Sequence, residues 1–164
     1  MYDADGVLLL KFTARAHGHR DGDPAEDWPD YGDGDVGLTE LASNGDTPTG
    51  LSDIDLNTPE TNATLYGPYM VNRVVGGRVG NAKLMLAQPV GIRSGILMHT
   101  GNWSDWDEDE DMPNSAGCVH VHPDDCKAVQ DALLSIGVIA RDNPFASNNY
   151  PYEPQGLISI DLEP

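Results

Sequence analysis

A chain of 164 residues with 27 acidic against 9 basic side chains, a formal net charge of −18, would repel phosphates, which excludes nucleic acid as a partner. Its 39% hydrophobic content is enough for one core, so residues 1–164 read as a single domain. Eighteen glycines and twelve prolines against two phenylalanines favour turns and short strands, hence a mainly β fold.

The longest apolar runs are a few residues, too short to cross a bilayer, so no membrane partner is expected. Met1-Tyr2-Asp3-Ala4-Asp5 is acidic where a secretory leader is basic, and no signal peptide is read here. Val7 to Ala16 reads as a first strand with Leu8, Leu10 and Phe12 on one face. His17 to Gly37 is rich in Gly, Asp and Pro and reads as a long loop. His17, His19, Asp21 and Asp23 are metal-ligating types, but scattered in a loop they read as solvated.

Leu38 to Ser43 leads into a turn at Thr47-Pro48-Thr49-Gly50, and residues 51–64 read as a polar loop with a strand edge. Tyr66 to Val75 suits a strand, and Gly76-Gly77 a tight turn into a second strand from Arg78 to Leu86. Tyr66 and Tyr69 offer stacking surface and hydroxyl donors to a bound substrate.

The stretch from Ile96 to Val121 carries the chemistry. Ile96-Leu97-Met98 reads as a strand running into His99, and Val119 and Val121 bracket His120 in period two as a second, so two strand ends bring an imidazole and the Cys118 thiol to one sheet edge. A neighbouring imidazole can take a thiol's proton and hold the thiolate as an ion pair. Gly117 allows a sharp turn, so that the amides of Gly117 and Cys118 can face the oxygen of a tetrahedral intermediate. Nucleophile, base and oxyanion donors together describe acyl transfer.

Between these pieces, Asp105 to Asp111 supplies six carboxylates. Met112 and Cys118 stand where an EF-hand loop needs Gly and Glu, so the segment reads as a solvated loop or a lid attracting an ammonium group, with Trp103 and Trp106 packing it over the sheet. Cys118, His120, His122 and His99 also have the residue types of a zinc site. Against zinc, His122-Pro123-Asp124-Asp125 reads as the start of a helix to Ile136, with Cys126, Val129, Leu133 and Ile136 as its apolar stripe. Cys126 then belongs to the core, and no metal or other cofactor is expected. Val138 to Arg141 and Leu157 to Leu162 read as strands.

His99-Thr100-Gly101, followed after His99 by fifteen residues and then Ser115-Ala116-Gly117-Cys118-Val119, resembles the signature of the L,D-transpeptidase catalytic domain (YkuD-like) family. Thr47-Pro48-Thr49-Gly50 and Tyr66-Gly67-Pro68 resemble two further segments of that family, in the same order, so the resemblance covers residues 40–140. It implies a compact, mainly β, sandwich-like catalytic fold with one short helix after the cysteine. It also implies Cys118 as nucleophile, His99 as base, Thr100 beside it, and Ser115 and Gly117 in the nucleophile turn. Tyr66, Tyr69, Trp103, Trp106, Ala116 and His120 become candidate substrate contacts. Ala116 stands where the family usually has His, and His120 where it usually has Arg or Asn.

The partners implied are peptidoglycan stem peptides or D-amino acids, met by a monomer on the extracytoplasmic side. Transpeptidation through a thioester at Cys118 is the function expected. Hydrolysis of stem peptides, as carboxypeptidase or endopeptidase, and a non-catalytic cell-wall-binding module are the alternatives.

Overall fold

The computed structural model describes residues 1–18, 40–41, 45–86, 92–101, 112–113, 115–142 and 152–161. The elements are β1 (Ala14–Arg15), β2 (Gly50–Asn57), α1 (Ala63–Tyr66), β3 (Val71–Val79), α2 (Gly80–Met85), β4 (Leu97–His99), β5 (Val119–Val121), α3 (Pro123–Ser135) and β6 (Gly156–Ile160). The architecture is mainly β: among the described residues six strands form one mixed sheet in the order β1-β5-β4-β3-β2-β6. Only β4 and β5 run parallel; the other neighbours are antiparallel.

The longest strands are β2, where the sequence suggested a polar loop with a strand edge, and β3, which overlaps the strand expected up to Val75 and continues through the expected Gly76-Gly77 turn to Val79. Polar residues of β2 are tolerated inside the sheet because they bond one another: Asn57 Nδ2 donates to Asp55 Oδ2 at 3.2 Å, and Gln155 Nε2 to Asp55 Oδ1 at 2.7 Å. Gly76 and Gly77 do not turn the chain. They pair with Asp53 and Ser52, beside two register shifts in β2. A Cβ on Gly77 would lie 1.9 Å from the Ala82 carbonyl oxygen, so the missing side chain lets α2 pack directly on β3. Residues 80–85 are therefore helix rather than strand.

Alternation along β4 and β5 separates two chemistries. Met98, Val119 and Val121 point to the apolar side, where Val119, Val121 and Cys126 form a cluster joined by Phe12, Ala16, Tyr69, Ile158 and Ile160. Because β6 and β5 lie far apart in strand order, packing of Ile158 and Ile160 on this cluster requires the sheet to curl. A second cluster, Ala82, Met85, Leu86 and Ile96 with Val74, fastens α2 to the sheet.

Helix α3 starts as the sequence indicates, with Pro123 at its N-terminus and Asp124 and Asp125 in its first turn. Its apolar stripe is shorter than expected. Cys126 and Val129 are buried, whereas Ile136 is 44% exposed. The first strand is also reduced to Ala14–Arg15, and Val7 and Leu8 are exposed, paired among the described residues only through a single Tyr2–Leu8 bridge. Val138 to Arg141 supplies only an isolated bridge, between Asn57 and Arg141.

Candidate active site

Parallel pairing of β4 with β5 sets Met98 beside Val119 and His99 beside His120. Side chains two residues apart on a strand share a face, so Cys118 returns to the face that carries His99 and His120. The Leu97 amide donates to Cys118 Sγ at 3.4 Å, and the sulfur lies 3.7 Å from the Gly95 carbonyl oxygen.

His99 is buried, with its Nδ1 2.5 Å from the Thr100 carbonyl oxygen. A carbonyl only accepts, so the proton of the neutral ring sits on Nδ1 and the lone pair on Nε2. The ring meets Tyr66 edge-on at a centroid distance of 5.1 Å and His120 at 4.8 Å. Burial drives the pKa of His99 down to about 4, opposed by the Thr100 carbonyl and by Glu60. Burial raises that of Cys118, opposed by the Leu97 amide, Arg93 and Arg73, while Glu60 raises it further. At neutral pH the pair therefore rests as thiol and neutral imidazole. Burial thus disfavours the pre-formed thiolate–imidazolium pair expected from sequence.

The turn from Ser115 to Cys118 is held from inside. Ser115 Oγ donates to the Cys118 carbonyl oxygen at 2.6 Å and accepts the Gly117 amide at 3.0 Å. The Gly117 N–H is thus engaged, which corrects the expectation that it faces the oxyanion. Gly117 has φ +99°, and a Cβ there would lie 1.7 Å from an Arg93 guanidinium nitrogen. The Thr47 hydroxyl reaches the Gly117 carbonyl oxygen at 3.0 Å, which explains why a Thr-Pro-Thr-Gly segment distant in sequence belongs to this site.

Arg93, buried under the turn, was not singled out from sequence. Its two terminal nitrogens meet four backbone carbonyls: Asp46 at 2.5 Å, Glu40 and Gly45 at 2.9 Å, and Ala116 at 3.3 Å. A lone arginine between Ile92 and Ser94 offers no local sign of this, since its partners lie tens of residues away. Arg73 and Glu60 were missed for the same reason. They form an ion pair near the site, and Arg73 Nε also donates to Asn57 Oδ1 at 3.0 Å.

The remaining candidates divide. Tyr66 stays at the site, beside His99. Tyr69 packs with Val119, Val121 and Cys126 on the apolar side, so its expected place at the substrate is corrected by the alternation of β5. His120 is buried, its Nδ1 2.7 Å from the Pro113 carbonyl oxygen, and it braces His99 instead of facing solvent. Ala116 is exposed. Trp103, Trp106 and the acidic run 105–111 lie outside the described residues, as do His19, Asp21 and Asp23.

His122 caps α3, its Nδ1 accepting the Asp124 amide at 3.3 Å. Among the described residues no three His, Cys, Asp or Glu side chains are grouped to hold a metal ion, and no helix is long and apolar enough to cross a membrane. Cys118 and Cys126 are both free thiols, and burial pushes the Cys126 thiol up to about 11.

A curled, mainly β sheet with a thiol and an imidazole on one face has the build of a cysteine-dependent enzyme. The family model of the L,D-transpeptidase catalytic domain, YkuD, matches residues 18–139, and the chain belongs to that family. Its members are cysteine-dependent enzymes with L,D-transpeptidase-type activity on peptidoglycan. Comparison with curated proteins and with solved structures found no match for this chain.

Proposed function

We propose that the protein is an L,D-transpeptidase that forms a thioester between Cys118 and a peptidoglycan stem peptide. The observation that carries this reading is the single sheet face shared by Cys118 and His99, with His99 Nδ1 engaged by the Thr100 carbonyl so that Nε2 is the basic nitrogen. As the sulfur attacks the carbonyl carbon of an L-centred residue, its proton passes to Nε2 of His99 and the S–C bond forms. The imidazolium then protonates the departing amine as the C–N bond breaks, releasing the following D-residue. An amine from a second stem, or a free D-amino acid, attacks the thioester and regenerates the thiol.

With the Gly117 amide engaged by Ser115, the Cys118 amide is the turn's remaining donor for the oxyanion. Tyr66, beside His99, is placed to contact the stem peptide. Ala116, exposed and without a polar side chain, shapes substrate preference by leaving room where the family usually carries an imidazole. The site of action is extracytoplasmic.

Incubation with purified disaccharide-tetrapeptide, with and without a free D-amino acid, tests the reading by mass spectrometry of products and protein. Loss of the terminal D-residue and an acyl adduct on Cys118, both absent in Cys118→Ala, are expected. Exchange or cross-linked products identify transfer, whereas free tripeptide alone identifies the hydrolytic alternative. No turnover and no adduct on stems of several chemistries would leave a cell-wall-binding module as the better reading.

A further inference from the structure

We propose that Gly95 is a positioning residue of the active site, whose left-handed backbone holds its carbonyl against Cys118 Sγ. Together with the Leu97 amide, that carbonyl cradles the sulfur in one rotamer and keeps the thiol proton off His99 in the resting site. The inference rests on the assignment of Cys118 as nucleophile and His99 as base.

Both contacts come from one short segment. The Leu97 amide donates to Sγ at 3.4 Å, and the thiol reaches the Gly95 carbonyl oxygen at 3.7 Å. Among the described residues the sulfur makes its hydrogen bonds to these two backbone groups and not to His99. An amide only donates and a carbonyl only accepts, so the pair fixes which side of the sulfur carries the proton. Two contacts on one sulfur also select one of the three staggered positions open to a cysteine side chain.

The conformation of Gly95 is imposed by its neighbours. On one side Arg93 is buried, with its amide on the Met85 carbonyl at 3.0 Å and its guanidinium reaching the Ala116 carbonyl in the turn before Cys118. On the other, Ile96 is buried with Met85 and Leu86, and its carbonyl accepts the Val74 amide at 2.9 Å. Ser94 and Gly95 form the exposed span between these anchors. The span closes through φ +76° at Gly95, which glycine adopts without strain. A Cβ there would meet nothing within 4 Å, so glycine is needed for its backbone and not for room, unlike Gly77 and Gly117.

The cradle bears on the first chemical step. The thiol proton leaves the Gly95 carbonyl for Nε2 of His99, so that the S–H bond breaks and an N–H bond forms as sulfur bonds to the substrate carbonyl carbon. A carbonyl accepting from the thiol favours the neutral form, whereas the Leu97 amide favours the thiolate. Leu97 is fixed in the sheet by pairing with Arg73, so a change at Gly95 removes the first influence and leaves the second.

Gly95→Val tests the proposal, because a β-branched residue resists positive φ and turns the peptide group away from the sulfur. The midpoint of iodoacetamide alkylation at Cys118 against pH, resolved by peptide mass spectrometry, should fall by about half a pH unit, the worth of one weak hydrogen bond to the thiol. Turnover of disaccharide-tetrapeptide should nonetheless drop about tenfold in kcat with KM nearly unchanged, because the sulfur is no longer aimed. Gly137→Val is the control for strain alone: Gly137 follows α3 with φ +87° and equally open surroundings, and its variant should move neither readout. Gly95→Asn, which tolerates left-handed backbone, should keep the wild-type midpoint. A midpoint that stays or rises in Gly95→Val, or that falls equally in Gly95→Asn or Gly137→Val, overturns the proposal. Should Gly95→Val not fold, Gly95→Ala imposes the same strain in milder form and is read against the same outcomes. Absence of wild-type turnover would count against the assigned reaction, while the alkylation midpoints would still decide the role of Gly95.

Discussion

Cys118 and Cys126 stand on opposite sides of the same short segment, and they show how differently the two faces of the sheet are held. Cys118 is partly exposed and surrounded by directed contacts: the Leu97 amide, nearby guanidinium groups and a turn locked by Ser115. Cys126 is 5% exposed and touches apolar side chains, Val119 and Val121 among them. One face depends on hydrogen-bond geometry and charge, the other on packing. Damage to the first should therefore remove activity, with stability lost only where a buried polar group is stranded, whereas damage to the second should cost stability by degrees.

The largest effect expected is at Cys118. Cys118→Ala should abolish both the acyl adduct and product release while leaving the thermal midpoint close to wild type, as read by mass spectrometry and calorimetry. Residual turnover in that variant would break the contrast at once.

Arg93→Met should be the most destabilising change on the polar face. It strands carbonyls of Glu40, Gly45, Asp46 and Ala116 around the turn before Cys118, at roughly 1–3 kcal/mol for each one left buried and unpaired. Denaturant unfolding should register a loss of at least about 3 kcal/mol, together with loss of turnover. A neutral result would mean that the turn is held without the guanidinium.

His99 gives the contrast a pH dependence. Its folded pKa of about 4 lies below the ordinary value of 6.5, so the unfolded chain binds the proton more readily. The stability this represents is present above pH 6.5 and is lost as pH falls toward 4, on the order of 3 kcal/mol in total. Urea titrations from pH 7 to pH 4 should show that slope, and His99→Gln should flatten it. An equally steep slope in the variant would assign the acid sensitivity to other groups.

On the apolar face, Val121→Ala should cost about 2 kcal/mol, since its side chain is fully buried. Cys126→Ala should cost about 1 kcal/mol and leave acyl transfer in place. Loss of turnover in Cys126→Ala at full stability would show that the two faces are coupled more tightly than packing implies.

The sequence was most informative where the signal is local. The apolar run Ile96-Leu97-Met98 into His99, the alternation in Val119-His120-Val121, Pro123 with two acidic residues after it, and the ordered Thr-Pro-Thr-Gly and Ser-x-Gly-Cys segments are all readable from near neighbours. They indicate a mainly β chain of the L,D-transpeptidase family, and the helix after Cys118. Local reading failed at Gly76-Gly77, which has the composition of a turn but continues β3, with Gly77 leaving the space in which α2 packs. It failed also at Val7 to Ala16, of which, among the described residues, only Ala14–Arg15 joins the sheet while Phe12 and Ala16 pack on the core.

By itself, then, the sequence determined the strand ends bearing His99 and Cys118, the family and the place of α3, because each depends on residues close together along the chain. Only the tertiary structure decided that Tyr66 and not Tyr69 meets His99, that Arg93 supports the turn before Cys118, and that Glu60 and Arg73 form an ion pair. Those assignments depend on curling of the sheet and on hydrogen bonds between residues far apart in the chain. No periodicity encodes such meetings; they exist only once the strands have found their order.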